Sequence, residues 1–171
     1  ETGRRATVDR ALAIGLSLAL PAAAALVVLS EPIIAVLFER GKFGMIDRER
    51  TAMALAAFAI GLPFAVIAKV FAQVYFARQT PKLPLIAGLS SLVVAASIGH
   101  MLARQAPATG AAMAASLAFV TQSAILGAFL LRDRLWRPSV ALLRKLSGVL
   151  VASLIMAGTC AWLAENLRGF L

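Results

Sequence analysis

Acidic side chains are scarce in this 171-residue sequence, which contains 8 of them against 17 lysines and arginines. The acids all fall at or outside the ends of the long apolar stretches, so no pair of carboxylates is placed for acid–base catalysis within them. The sequence also lacks a serine–histidine–aspartate set, a glycine-rich phosphate loop and a cluster of metal ligands. We therefore expect that the protein is not an enzyme and uses no cofactor.

Cysteine and histidine occur once each, as Cys160 and His100. A single cysteine inside an apolar stretch provides neither a disulfide framework nor a zinc motif, so we expect Cys160 to serve packing. His100 lies near the end of an apolar stretch, where an interfacial position is a better expectation than a ligand or a proton relay.

Apolar residues dominate the sequence. Hydrophobic residues make up 61% of the chain, charged residues only 15%, and the mean hydropathy is +0.87. A soluble domain of this length would be closer to half apolar and a quarter charged. A net charge of +9 is compatible with nucleic-acid binding, but the basic residues lie in short loops between apolar stretches. There they set membrane orientation and contact anionic lipid, so we expect membrane lipids and no nucleic acid as partners.

Five apolar stretches are long enough to cross a bilayer as helices. They cover approximately residues 11–29, 51–77, 83–102, 108–131 and 140–163. We predict an all-α, polytopic membrane protein with a polar connector at 1–10, four transmembrane helices within 11–131, and a basic loop followed by one more helix at 132–171. More basic residues fall on the side of the connector than on the opposite side, which favours a cytoplasmic connector.

A shorter apolar segment separates the first two predicted spans. It begins near Glu31 and ends at Gly41, and it carries too many charges to lie in the membrane core throughout. We predict a short helix at the membrane surface, closed by a glycine turn, with Asp47 capping the next helix. An ordinary amphipathic loop is the alternative.

The second span carries a single cation, Lys69, well inside its apolar sequence. At about 1.5 Å per helical residue, Lys69 lies roughly 27 Å from Thr51 and about 13 Å from Arg78. Such a charge is costly in hydrocarbon, so it normally faces a cavity or a partner and marks a ligand or ion path. Gln73 follows one helical turn later.

No acid within the predicted spans can neutralise Lys69. Its partner could be a carboxylate elsewhere in a longer protein, backbone carbonyls or an anionic ligand, and deprotonation of the amine is a further option. A purely structural lysine that extends toward the membrane surface remains the alternative to all of these.

Two motifs carry a resemblance to a known family. The first is LF-x-x-G-x-F, which begins at Leu37, and the second is K-V-x-A-x-x-Y/F-x-A-R-Q, which runs from Lys69 to Gln79 and precedes Lys82. In these features residues 1–131 resemble the MurJ (MviN) family of lipid II flippases, in the multidrug/oligosaccharidyl-lipid/polysaccharide exporter superfamily. The resemblance implies part of the C-terminal lobe of a two-lobed fold. Because the sequence also begins with Glu1 rather than methionine, we expect it to be a piece of a longer protein.

The resemblance further implies a function in peptidoglycan and cell wall biogenesis, and hence in cell shape. A family member moves lipid II, an undecaprenyl-pyrophosphate-linked saccharide, across the bacterial inner membrane by alternating access. The implied partners are this lipid-linked peptidoglycan precursor, membrane lipids and the remaining helices of the full-length protein. Two alternatives stay open: export of another polyprenyl-linked saccharide or a drug, and a non-transporting structural subunit.

Three residues follow as candidates for substrate binding: Lys69, Gln73 and Arg78. Lys69 matches the buried lysine of the family and is the candidate cavity cation, because cations offset the desolvation of a pyrophosphate. For Arg78 and Lys82, an anchoring role at the cytoplasmic headgroups is the main expectation, and a gating contact is the alternative.

Overall fold

The computed structural model describes residues 2–38, 43–104 and 107–168, and within these ranges every regular element is a helix. The helices are α1 (Thr2–Val28), α2 (Ser30–Phe38), α3 (Met45–Phe76), α4 (Lys82–Ala103), α5 (Pro107–Arg132) and α6 (Val140–Arg168). Five of them contain apolar spans long enough to cross a membrane: Arg5–Val28, Met45–Ala77, Lys82–Leu102, Pro107–Arg132 and Val140–Ala164. The predicted all-α, multi-span architecture is therefore confirmed.

The chain leading into the first span is helical as well. Residues 2–10, expected as a polar connector, continue directly into the apolar part of α1. Arginine and alanine are good helix formers and no proline interrupts this stretch, so the helix can extend beyond the hydrocarbon. The cytoplasmic placement of this end stays a prediction.

The short segment between the first two spans is also helical, as predicted. It forms α2, and the glycine turn expected at Gly41 lies outside the described residues. Asp47 stabilises the start of α3 from the third helical position, where its Oδ2 accepts a hydrogen bond from the Gly44 amide at 3.3 Å. Arg48 joins α3 to α2 through a 3.3 Å ion pair with Glu31.

Helix α3 lies at the centre of the packing. It packs most extensively on α5 and α1 and also contacts α2, whereas α4 packs mainly on α5. Among the described residues, α6 packs on α1 and on no other helix. The long apolar face that α6 leaves exposed is typical of a helix in contact with lipid.

The crossing of α3 and α5 brings two backbones into close approach at Gly61 and Ser116. The Ser116 hydroxyl donates a 2.6 Å hydrogen bond to the Ala57 carbonyl oxygen of α3. A Cβ added at Gly61 would lie only 2.8 Å from the Ser116 Cα. Small residues at such crossings let membrane helices approach closely enough for interhelical hydrogen bonds.

The most buried cluster lies at one end of the bundle and is completed by Trp136. This side chain is 7% exposed, its ring centroid lies 5.2 Å from that of Phe71, and its Nε1–H donates a 2.7 Å hydrogen bond to Asp9 Oδ1. The loop between α5 and α6 folds back so that the indole packs inside the fold, between the ends of two membrane spans. It thereby joins α1 and α3 to the segment that leads into α6.

Candidate functional site

Lys69 faces a groove between α1, α3, α4 and α5 that has a volume of about 1040 Å³. Most of the groove wall is alanine, leucine, proline, valine and phenylalanine. Its polar lining comes from three side chains, Lys69, Lys82 and Gln122. We call this the lysine groove.

The spacing of small residues explains why the groove forms. Gly15, Ala19 and Ala22 lie on one face of α1 at intervals of three and four residues. Ala65 and Ala72 repeat the pattern on α3, where Lys69 lies between them. Small side chains on two facing helices leave a recess that the longer neighbours border, and the lysine extends into it.

Lys69 is exposed in this structure, although the sequence suggested a buried cation. No described residue forms a hydrogen bond or an ion pair with its ammonium group. Cavity-facing placement was the expectation for an intramembrane lysine, and the position in the lysine groove agrees with it. The positive charge is thus available to a group outside the described residues.

Gln73 and Arg78 line a different groove, of about 490 Å³, between the first turns of α1 and the end of α3. We call this the arginine groove. One helical turn of four residues rotates a side chain by roughly 40°, since each residue turns the helix by about 100°. Lys69 and Gln73 therefore point in different directions, and each lines its own groove. The structure separates Lys69 from the other two predicted site residues.

The polar side chains of α5 have different partners. Ser116 bonds to α3, while Thr121 and Ser123 donate to carbonyl oxygens of their own helix, at 2.8 and 2.9 Å. Gln122 instead lines the lysine groove. Sequence reasoning did not select Gln122 as a site residue. In the sequence, Gln122 is a single amide in an apolar helix. That feature indicates a site residue only when α5 is known to pack beside Lys69.

A comparison with known protein families gives a match over nearly the whole chain. The family described as "Lipid II flippase MurJ" matches residues 2–170. The chain belongs to the MurJ family. The match extends well beyond residue 131, where the sequence resemblance had stopped being specific.

Individual MurJ proteins agree with the assignment. A probable lipid II flippase MurJ of Rhizobium meliloti (strain 1021) is 36% identical over 149 residues, which cover 87% of this chain and 28% of that protein. The lipid II flippase MurJ of Burkholderia cenocepacia is 29% identical over 161 residues, covering 94% and 31%. A solved structure, "Lipid II flippase MurJ, inward closed conformation", superposes with a TM-score of 0.80 at 25% identity, covering 92% of this chain and 32% of that one.

The chain thus spans about a third or less of the length of these MurJ proteins. The six helices correspond to one part of a larger helical membrane fold.

Proposed function

We propose that this chain forms part of a flippase that moves a lipid-linked peptidoglycan precursor across the bacterial inner membrane. The observation that carries the proposal is the lysine groove, where two cations and an amide interrupt an otherwise apolar wall. The names of the MurJ relatives support lipid II as the class of substrate. The flippase would be complete only in a protein of full MurJ length.

The two lysines lie at different depths. Lys82 begins a membrane span, whereas Lys69 lies eight residues before the end of another, at Ala77. Eight helical residues correspond to about 12 Å. A pyrophosphate moving along the groove would therefore meet one cation near the membrane surface and a second one deeper inside.

Each cation would offset part of the cost of taking a phosphate group out of water. Burial of an unpaired charge is strongly unfavourable, and ammonium–phosphate contacts are short, charge-assisted hydrogen bonds. Gln122 offers both a donor and an acceptor for the saccharide or the pyrophosphate. The apolar wall suits the prenyl chain, which needs no polar partner.

Gln73 and Arg78 do not share a groove with Lys69. Direct binding of substrate by these two residues stays a prediction. Arg78 follows the last residue of its span, so it is placed to contact lipid headgroups on the side that we expect to be cytoplasmic.

The test is precursor translocation in cells whose only MurJ is the full-length protein that carries this chain. Lys69→Ala should abolish or strongly reduce translocation, whereas Lys69→Arg should retain it, because a cation remains in the groove. Lys145→Ala is the matched control, since Lys145 is exposed and lines neither groove. Normal translocation by Lys69→Ala at equal membrane levels would refute the proposal.

A further inference from the structure

The arginine groove has a polar rim and an apolar interior. Thr7, Gln73 and Arg78 supply its polar groups. The rest of its lining is Val8, Ala11, Val70, Val74 and Ala77. This distribution matches an amphiphilic molecule, with a polar head at one end and a hydrocarbon chain at the other.

The depths of these residues match the layers of a lipid leaflet. The span of α3 ends at Ala77, which places Arg78 at the level of the headgroups. Gln73 lies five residues deeper, at about 7 Å, and Val70 lies eight residues deeper, at about 12 Å. From the membrane surface inward, the phosphate, the ester linkage and the first part of an acyl chain of a phospholipid follow in the same order.

Two polar side chains of the groove, Gln73 and Arg78, need a partner that the described residues do not supply. Neither the Gln73 amide nor the Arg78 guanidinium has a hydrogen bond or an ion pair with another described side chain. An unpaired amide below the membrane surface is unfavourable, and a guanidinium prefers a bidentate anionic partner such as phosphate.

The charge around the groove also favours an anion. Arg5 and Arg10 are exposed on the same first turns of α1 that supply Thr7 and Ala11. One acid, Asp9, lies in the same part of α1, where it accepts a hydrogen bond from the Trp136 indole. Arg5, Arg10 and Arg78 outnumber this acid, so positive charge is in excess beside the groove.

We propose that the arginine groove binds one anionic glycerophospholipid of the surrounding membrane. Its phosphate contacts Arg78, an ester carbonyl accepts a hydrogen bond from the Gln73 amide, and one acyl chain lies along Val70, Val74 and Ala11. This site is separate from the lysine groove and does not depend on the proposed flippase activity.

The test counts lipids bound to the purified full-length protein by native mass spectrometry, with phosphatidylglycerol and phosphatidylcholine offered in turn. The parent protein should retain one phosphatidylglycerol in preference to phosphatidylcholine. Arg78→Gln should weaken this binding about five- to tenfold, and Arg78→Lys should weaken it less, because it keeps the charge. Arg132→Gln is the matched control, since Arg132 is an exposed cation that lines neither groove.

A second variant tests the groove itself without changing charge. Ala11→Phe fills the apolar interior while all the cations remain, and it should also displace the lipid. If Ala11→Phe fails to fold, Gln73→Leu replaces it, because loss of the amide should weaken phosphatidylglycerol binding in a folded protein. Each variant is first checked for an unchanged elution volume and thermal midpoint.

Four results would overturn the proposal. Equal weakening by Arg78→Gln and Arg132→Gln would mean that surface charge acts without a specific site. Equal retention of phosphatidylcholine would remove the role of the anionic headgroup. Displacement of the phospholipid by the lipid-linked precursor, one for one, would assign the groove to the substrate. Retention of phosphatidylglycerol by Ala11→Phe at the parental level would mean that no acyl chain lies in the groove.

Discussion

Gly61→Ala should destabilise the fold through the crossing of α3 and α5. The added Cβ would lie 2.6 Å from the Ser116 Oγ, 2.8 Å from the Ser116 Cα and 2.9 Å from the Ser116 Cβ. A rotamer change of Ser116 can relieve the first contact but not the second, because the Cα belongs to the backbone of α5. The two helices must therefore move apart.

The size of the effect follows from two contributions. Overpacking at a well-packed contact costs about 1–3 kcal/mol. Separation of the helices also lengthens the hydrogen bond from Ser116 to the Ala57 carbonyl oxygen, which contributes about 1 kcal/mol in a membrane protein. We expect Gly61→Ala to lower the free energy of unfolding by about 2–4 kcal/mol.

The assay is reversible unfolding of the full-length protein in mixed micelles, followed as SDS is titrated. Gly148→Ala is the control, because a Cβ there meets nothing within 4 Å, and the higher helix propensity of alanine should leave stability unchanged or raise it by up to about 1 kcal/mol. Ser116→Ala combined with Gly61→Ala should not restore full stability, since the backbone contact remains. A Gly61→Ala protein as stable as the Gly148→Ala protein would refute the close approach of α3 and α5.

Three further predictions concern other contacts. Trp136→Phe removes the indole donor from Asp9 and should lower the unfolding free energy by about 1–3 kcal/mol in the same SDS titration. Trp162→Phe is the control and should change it little, because Trp162 is 66% exposed. Equal effects of the two substitutions would contradict the buried indole. Tyr75→Phe should leave stability unchanged or raise it by about 1 kcal/mol. The reason is that the Tyr75 side chain is 2% exposed and its hydroxyl has no hydrogen-bond partner among the described residues. A large loss in thermal midpoint would show that the hydroxyl does have a partner. Lys82→Gln should slow precursor translocation while keeping membrane levels unchanged, and translocation at the parental rate would exclude Lys82 from the substrate path.

The sequence was sufficient for the architecture because long apolar stretches have few options in a bilayer. Backbone groups in hydrocarbon must bond within the segment, so each stretch becomes a helix. Eight of the ten predicted span ends agree within one residue, whereas the first two spans begin six residues earlier than predicted, at Arg5 and Met45. Lys69 was identified in the same way, because a cation within a long apolar stretch can be recognised from the sequence alone. The family followed from local motifs that need no knowledge of packing.

Which residues share a groove depends on how the helices pack. Neighbouring residues in the sequence do not show which helices will pack together. Gln73 lies one turn from Lys69 and looked like its neighbour, but the two side chains line different grooves. Trp136 is 127 residues from Asp9 in sequence, so their hydrogen bond could not be anticipated from spacing. Gln122 became a groove residue only through the contact of α5 with α3 and α4.

The most direct measurement of the central claim, that the lysine groove carries the precursor, is site-specific photocrosslinking in membranes. A photoreactive residue is placed at Ala72 in the full-length protein, and at Ala152 of α6 as a control that is exposed but lines neither groove. The residue at position 72 should crosslink to the lipid-linked precursor, the residue at 152 should not, and Lys69→Ala should abolish the crosslink. A crosslink of equal yield at both positions, or one at position 72 that is indifferent to Lys69→Ala, would contradict the claim.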